Sequence, residues 1–295
     1  MKKLVLFLLS LNAFASIEVV TTLPELKWVV EQIGGKEVKT KSLLNGNEDP
    51  HFIDAVPSFI VKASKADLLV INGMELETGW IPKVIQMAGN PKIKQISKGY
   101  CDASKAVEKL APIENYNRSM GDVHPAGNPH YSISVVQMKN VATTVFKCLS
   151  TINPDKKDEF KSNLEKTLAR LTKLHKELSM KAKSLKNRTF MSYHLEFAYF
   201  YKDFNLNGAG TLEKIPGVLP SAAQLLEKSK QAKEKKVDLV LAGKTNPKKY
   251  LDKFKEITGI GFVQLDLHMT NEHKDYESYQ HALFDVIINN VNTSK

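Results

Sequence analysis

Four short segments place a nitrogen or oxygen ligand in a loop or at the end of an apolar run. His51 lies in NEDPHF, His130 in GNPHY, His194 closes RTFMSYH and Asp266 closes GFVQLD, with His268 two residues further on. Neutral imidazole nitrogens together with a carboxylate oxygen suit zinc and similar divalent ions, and four such donors fill a tetrahedral shell. Proline before His51 and before His130 fixes φ and restricts the preceding residue, which limits the loops that carry them and lowers the entropy lost on ligation. No local spacing such as HExxH ties these residues together, so a metal site built from them has to be assembled by the fold. GDVHPAGNPHYSIS at 121–134 holds a second histidine, His124, in the same turn-rich loop as His130.

The elements that would position these residues alternate in type. IEVVTT (17–22) reads as a strand, and Pro24 opens PELKWVVEQIGG as a helix ended by Gly34 and Gly35. KEVKTKSL reads as a strand, residues 57–66 as a short helix and ADLLVING (66–73) as a buried strand. The same grammar restarts late in the chain: strands at 188–194, 237–243 and 261–266, with helices between them and a closing helix from Tyr276 to Asn290. Strands alternating with helices predict parallel sheets with helices on both faces.

Between the two halves runs a segment without glycine or internal proline. Phe160, Leu164, Leu168, Leu171, Leu174 and Leu178 recur at spacings of three and four, the mark of one helical stripe. About 30 residues at 1.5 Å each make a helix of roughly 45 Å, long enough to span two domains. The fold class expected is therefore α/β, with two lobes, each a mainly parallel sheet with helices on both faces, joined by one long rigid helix. The expected divisions are 16–153 for the amino-terminal lobe, 154–186 for the linking helix and 187–295 for the carboxyl-terminal lobe. Ligands of such sheets bind beyond the carboxyl ends of strands, which places the site in the interlobe cleft.

Residues 1–15, MKKLVLFLLSLNAFA, combine Lys2 and Lys3, an apolar run from Leu4 to Leu11 and the small-x-small series Ala13-Phe14-Ala15. That is a secretory signal peptide, cut before Ser16, and it points to a bacterial periplasm. Export permits a bridge between Cys101 and Cys148. Without a CxxC spacing, thiol redox catalysis and a cysteine zinc site are disfavoured. The formal charge of +10 falls to +8 once Lys2 and Lys3 leave. Lysines interleave with acidic residues, as in KSKQAKEKK at 228–236, which is a solvated helix face and not a nucleic-acid patch.

DPHFIDAVPSFIVKASKADLLVINGMELETGW resembles the signature of the metal-specific solute-binding proteins of bacterial ABC transporters, the zinc and manganese receptors. In that family a DPH motif precedes a helix and a strand ending in an N-G-x-x-L-E-x-W-like turn, matched here by Asn72, Gly73, Leu76, Glu77 and, one residue displaced, Trp80. GNPHYSIS is similar to the second histidine motif, HLEFAYFYKDFNL to the third, and VQLD with a tyrosine-containing helix to the carboxyl-terminal end. The match runs in order through essentially the whole mature chain. It departs after His130, where Ser132-Ile133-Ser134-Val135 replace an aspartate–proline pair, so that the following helix needs a serine cap. Glu196 stands where the third motif prefers a small residue and reads first as an exposed helix-face carboxylate, otherwise as a partner of His194.

Carried over position by position, the resemblance implies metal ligands at His51, His130, His194 and Asp266, with His268 a rival to Asp266 at the same strand end. His124 is left as a loop residue with at most a role in metal entry. His175, His273 and His281 are left as structural or solvated. Three histidines and one carboxylate favour Zn2+ over Mn2+, which more oxygen would serve better. The implied function is a monomeric periplasmic receptor, not an enzyme, that captures Zn2+ (Mn2+ being the alternative) and delivers it to an ABC transporter membrane permease. A zinc hydrolase or deaminase is the rival from another class, suggested by His194-Leu195-Glu196 but lacking the P-C-x-x-C partner. A surface adhesin is a third reading.

Overall fold

The computed structural model describes residues 16–110, 121 and 124–293; the expected signal segment lies outside the described residues. Two four-stranded sheets carry the architecture. The first contains β1 (Ile17–Thr21), β2 (Val38–Ser42), β3 (Leu68–Ile71) and β4 (Tyr100–Asp102) in the order β2-β1-β3-β4. The second contains β5 (Thr189–Ser192), β6 (Asn207–Thr211), β7 (Leu239–Gly243) and β8 (Gly261–Leu265) in the order β6-β5-β7-β8. Every pairing is parallel. The two sheets thus repeat one topology, in which the strand order reverses beside β1 and beside β5 and opens a crevice at the carboxyl ends of the strands.

Sheets buried on both faces need apolar residues at successive positions. In β7, Leu239 and Leu241 join the main core, and the alternating Val240 and Ala242 join a smaller core on the opposite face. β4 and β6 were not among the expected strands. β4 has only three residues, and β6 reads NGAGT, whose glycines carry no strand signal.

The helices that position the site are α1 (Pro24–Gly34), α2 (Pro57–Ser64), α3 (Ile81–Ala88), α4 (Val135–Ile152) and α5 (Lys157–Ala182). They are followed by α6 (Ala198–Phe204), α7 (Ala222–Glu234), α8 (Lys248–Thr258) and α9 (Tyr276–Thr293). α5 is the linking helix. Its 26 residues are flanked by 3-10 turns at Pro154–Lys156 and Lys183–Leu185, and span about 39 Å. Phe160, Leu164, Leu171, Leu174 and Leu178 are buried along it, while Leu168 is half-buried against the same core. That core runs without a break from β1 through α4 and α5 to β8 and α9, so both lobes bury apolar surface on the same helix. Cys101 on β4 and Cys148 on α4 form a disulfide, with Cα atoms 6.0 Å apart. Among the described residues, no helix is long and apolar enough to cross a membrane.

The start of α4 answers the missing aspartate–proline pair. Ser134 caps it, its Oγ accepting from Gln137 N at 3.0 Å. The carboxylate comes instead from the other lobe: Asp203 on α6 accepts from Ser134 Oγ at 2.6 Å and from Val136 N at 3.3 Å. A carboxylate at a helix amino terminus satisfies orphan N–H groups and the positive end of the helix dipole.

Candidate metal centre

Each expected ligand stands in a loop at the mouth of a sheet, and each loop is braced. His51 follows β2. Asp49 turns the chain there, its Oδ1 accepting from His51 N at 3.0 Å and lying 2.8 Å from His51 Nδ1. Trp80 Nε1 donates to Pro50 O at 2.9 Å and pins the same loop from beneath. Because the Asp49 carboxylate only accepts, Nδ1 is the donor and Nε2 carries the lone pair. Burial would raise the Asp49 pKa, but the contact with His51 outweighs it and holds the carboxyl below its ordinary value.

The same device orients His194, two residues past β5. Glu213 Oε2 lies 2.8 Å from His194 Nδ1 and also accepts from Gly217 N at 3.0 Å. The Nε2 of His194 is thereby left carrying the lone pair. Glu196 is buried rather than exposed, and its Oε2 accepts from the backbone N of His194 at 3.0 Å. The ring of His194 therefore takes its carboxylate from Glu213, a residue in the turn after β6 that no local motif marked.

His130 is held through its backbone. Asn128 Oδ1 accepts from His130 N at 2.9 Å, and Asn72 Nδ2 donates to Pro129 O at 3.1 Å. Its Nε2 is buried without a hydrogen-bond partner. Burial, reinforced by His194, His51 and His124, pushes the His130 pKa well below the usual histidine value, so the ring is neutral and able to ligate.

The rings converge. His51 and His130 have centroids 5.1 Å apart, as do His130 and His194, and the His51–His194 separation is 6.1 Å. In a tetrahedral shell with Zn–N of about 2.1 Å, ring centroids stand about 3.2 Å from the ion and about 5.2 Å from one another. Three of the expected ligands thus already stand close to the geometry of a bound divalent cation, with an unsatisfied buried nitrogen among them.

His124, expected as a loop residue with at most a role in metal entry, stands in the same cluster. Its ring lies 5.2 Å from that of His51 and 6.2 Å from that of His130, and its Nε2 is 3.2 Å from His51 Nε2. Ligand atoms of His51, His124 and His130 fall within 4.8 Å of one another. Since His51 Nε2 is the acceptor, His124 Nε2–H donates to it.

Asp266 lines the same cleft of about 210 Å³ as His51, His130 and His194. Its carboxylate is engaged by Lys244, whose Nζ lies 2.8 Å from Oδ1. His268, the expected rival, lines this cleft too, with its Nδ1 turned to the amino-terminal lobe 2.6 Å from Glu25 Oε1. Burial alone would lower the His268 pKa, but the Glu25 carboxylate outweighs it and raises it. The loop bearing His51 meets the loop bearing His268 at Gly46, where φ is +88° and a Cβ would stand 1.9 Å from Met269 O, so only glycine fits. Of the remaining histidines, His175 stacks on Phe204, His273 bonds Thr270 and His281 stands 3.5 Å from Glu177.

The family model described as ZnuA, zinc-uptake complex component A, periplasmic, matches residues 19–292. The zinc-binding lipoprotein AdcA of Streptococcus pneumoniae is 25% identical over 256 residues, covering 80% of this chain and 49% of its own length. The chain thus spans about half the length of that relative. The manganese ABC transporter substrate-binding lipoprotein PsaA of the same species is 29% identical over 225 residues, covering 74% of this chain and 69% of its own. A crystal structure of ZnuA superposes with a TM-score of 0.77 at 27% identity, over 93% of this chain and 99% of that one.

Proposed function

The chain belongs to the periplasmic zinc-uptake component A family, and from that premise we propose that it is an extracytoplasmic receptor that captures Zn2+ in the interlobe cleft and delivers it to an ABC transporter permease. The imidazoles of His51, His130 and His194 form the core of the shell. Asp266, which lines the cleft from the strand end opposite, and His124, clustered with His51 and His130, are the candidates for the fourth position. Such a closed shell coordinates without an open position for a substrate or an activated water, which is the property of a carrier and not of a hydrolase.

The observation that carries this reading is the convergence of His51, His130 and His194 at separations matching a tetrahedral ion, two of them oriented by carboxylates on their far nitrogens. A manganese receptor is the second reading, favoured by the likeness to PsaA. Elemental analysis and competitive titration of the mature protein with Zn2+ and Mn2+ separate the two. The expected outcome is stoichiometric Zn2+ binding that Mn2+ displaces poorly; a protein that binds neither ion at micromolar concentration sinks the receptor reading.

A further inference from the structure

Lys244 and Asp266 occupy matching places on neighbouring strands. β7 and β8 run parallel with Gly243 opposite Leu265, so the next residue of each leaves the sheet beside the other. The base of Lys244 is fixed: its N donates to Leu265 O at 2.9 Å, and Gly243 N donates to Asn246 Oδ1 at 2.6 Å. Gln264 Nε2 closes the turn by donating to Gly243 O and Asn246 O at 3.2 and 2.9 Å. From this base Lys244 Nζ reaches both carboxylate oxygens of Asp266, at 2.8 and 2.9 Å.

We propose that Lys244 sets the metal preference of the cleft by withholding the Asp266 carboxylate, so that His124 and not an oxygen completes the shell. The inference rests on the reading that the cleft captures a divalent metal, and it names what decides the fourth position. A carboxylate contacted at both oxygens by an ammonium has its charge neutralised, and drawing it onto a metal costs that contact. His124 already stands in the cluster, its Nε2 3.2 Å from His51 Nε2. An all-imidazole shell suits Zn2+ and its late first-row neighbours, whereas Mn2+ gains from each oxygen added. The Lys244 side chain is 57% exposed and that of Asp266 17%, so the pair is an adjustable bias and not a fixed lock.

The test is Lys244→Met in the mature full chain, titrated competitively with Zn2+ and with Mn2+. Mn2+ affinity is expected to rise about fivefold, the upper range for releasing an exposed ion pair, with Zn2+ affinity changing by less than about twofold. Lys244→Arg, which keeps a cation on Asp266, is expected to behave as wild type. Adding Asp266→Asn to Lys244→Met is expected to cancel the Mn2+ gain. An unchanged Mn2+/Zn2+ ratio in Lys244→Met, or a gain that survives Asp266→Asn, overturns the role of Lys244 while leaving the receptor reading intact if wild type binds Zn2+. A wild-type chain that binds neither ion overturns both.

Discussion

Glu25, in the first turn of α1, and His268, past the end of β8, form a buried ion pair across the two lobes, with Oε1 and Nδ1 2.6 Å apart. Glu25 is fully buried and the His268 side chain is 9% exposed, so neither has water to fall back on. Removing one partner of such a pair leaves an uncompensated buried charge, which costs about 3–5 kcal/mol. Glu25→Ala is therefore expected to lower the unfolding free energy of the metal-free protein by that amount in urea titrations. Glu25→Ala combined with His268→Phe should recover part of it. A loss of less than about 1 kcal/mol from Glu25→Ala would show that the pair does not join the lobes energetically.

The clustered histidines should rank by their surroundings. His130→Ala removes the buried central ring and is expected to weaken Zn2+ binding by more than about a hundredfold; His124→Ala, at the edge of the cluster, should cost about tenfold. Glu213→Gln leaves His194 in place but puts a neutral amide where a carboxylate polarises its ring, and about tenfold weaker binding is expected. Competition with a chromophoric chelator measures all three. Equal losses for His124→Ala and His130→Ala would contradict the central place given to His130.

Glu77 supplies a pH dependence independent of the metal. Its carboxylate is buried beneath the 72–77 turn, accepting from Thr22 Oγ1, Asn72 N and Gly73 N at 2.6, 2.7 and 3.0 Å. Burial pushes its pKa up to about 7 against the pull of those donors. An acid whose pKa is higher folded than unfolded binds its proton preferentially in the native state. Stability therefore falls as pH rises from about 4.5 to about 7, by about 3 kcal/mol in all, and is flat above. Glu77→Gln cannot ionise, so the gap between its stability and that of wild type should change by this amount between about pH 5 and pH 8. Parallel profiles for the two proteins would refute the shift.

The disulfide ties β4 to α4 across a sequence separation of 47 residues. Closing a loop of that length removes denatured-chain entropy worth about 4 kcal/mol. Cys101→Ala with Cys148→Ala should destabilise the protein by up to that amount and leave Zn2+ affinity unchanged, because neither cysteine touches the cleft. A change in affinity would mean that the amino-terminal lobe relaxes as far as His51 or His130.

The sequence carried the α/β class and the linking helix because both depend on periodicity: runs such as LLVI and LVLAG, and the Phe160 to Leu178 stripe. It also marked His51, His130 and His194, which sit beside prolines or at strand ends, and it placed the serine cap of α4. What it could not carry were relationships set by packing between distant segments. Glu213 is 19 residues from the ring that it orients, and Asp203 is 69 from the helix start that it completes. His124 and His130 shared one loop composition, and only the 3.2 Å approach to His51 brings the former into the cluster. β6 was missed because its pairing with β5 is made by backbone, with little side-chain pattern to betray it.

The core along α5 also decides where the polypeptide can be cut. A break in the turn at Pro154–Lys156 would sever the chain at an exposed place, yet neither fragment would be self-sufficient. The amino-terminal piece would bare the faces of α1 and α4 that pack on α5, and the carboxyl-terminal piece would carry Leu171, Leu174 and Leu178 uncovered. Two halves expressed together would have complementary apolar faces and every reason to reassemble. The histidines would return to one cleft only in the complex, which makes the break point a natural site for a complementation reporter of metal capture.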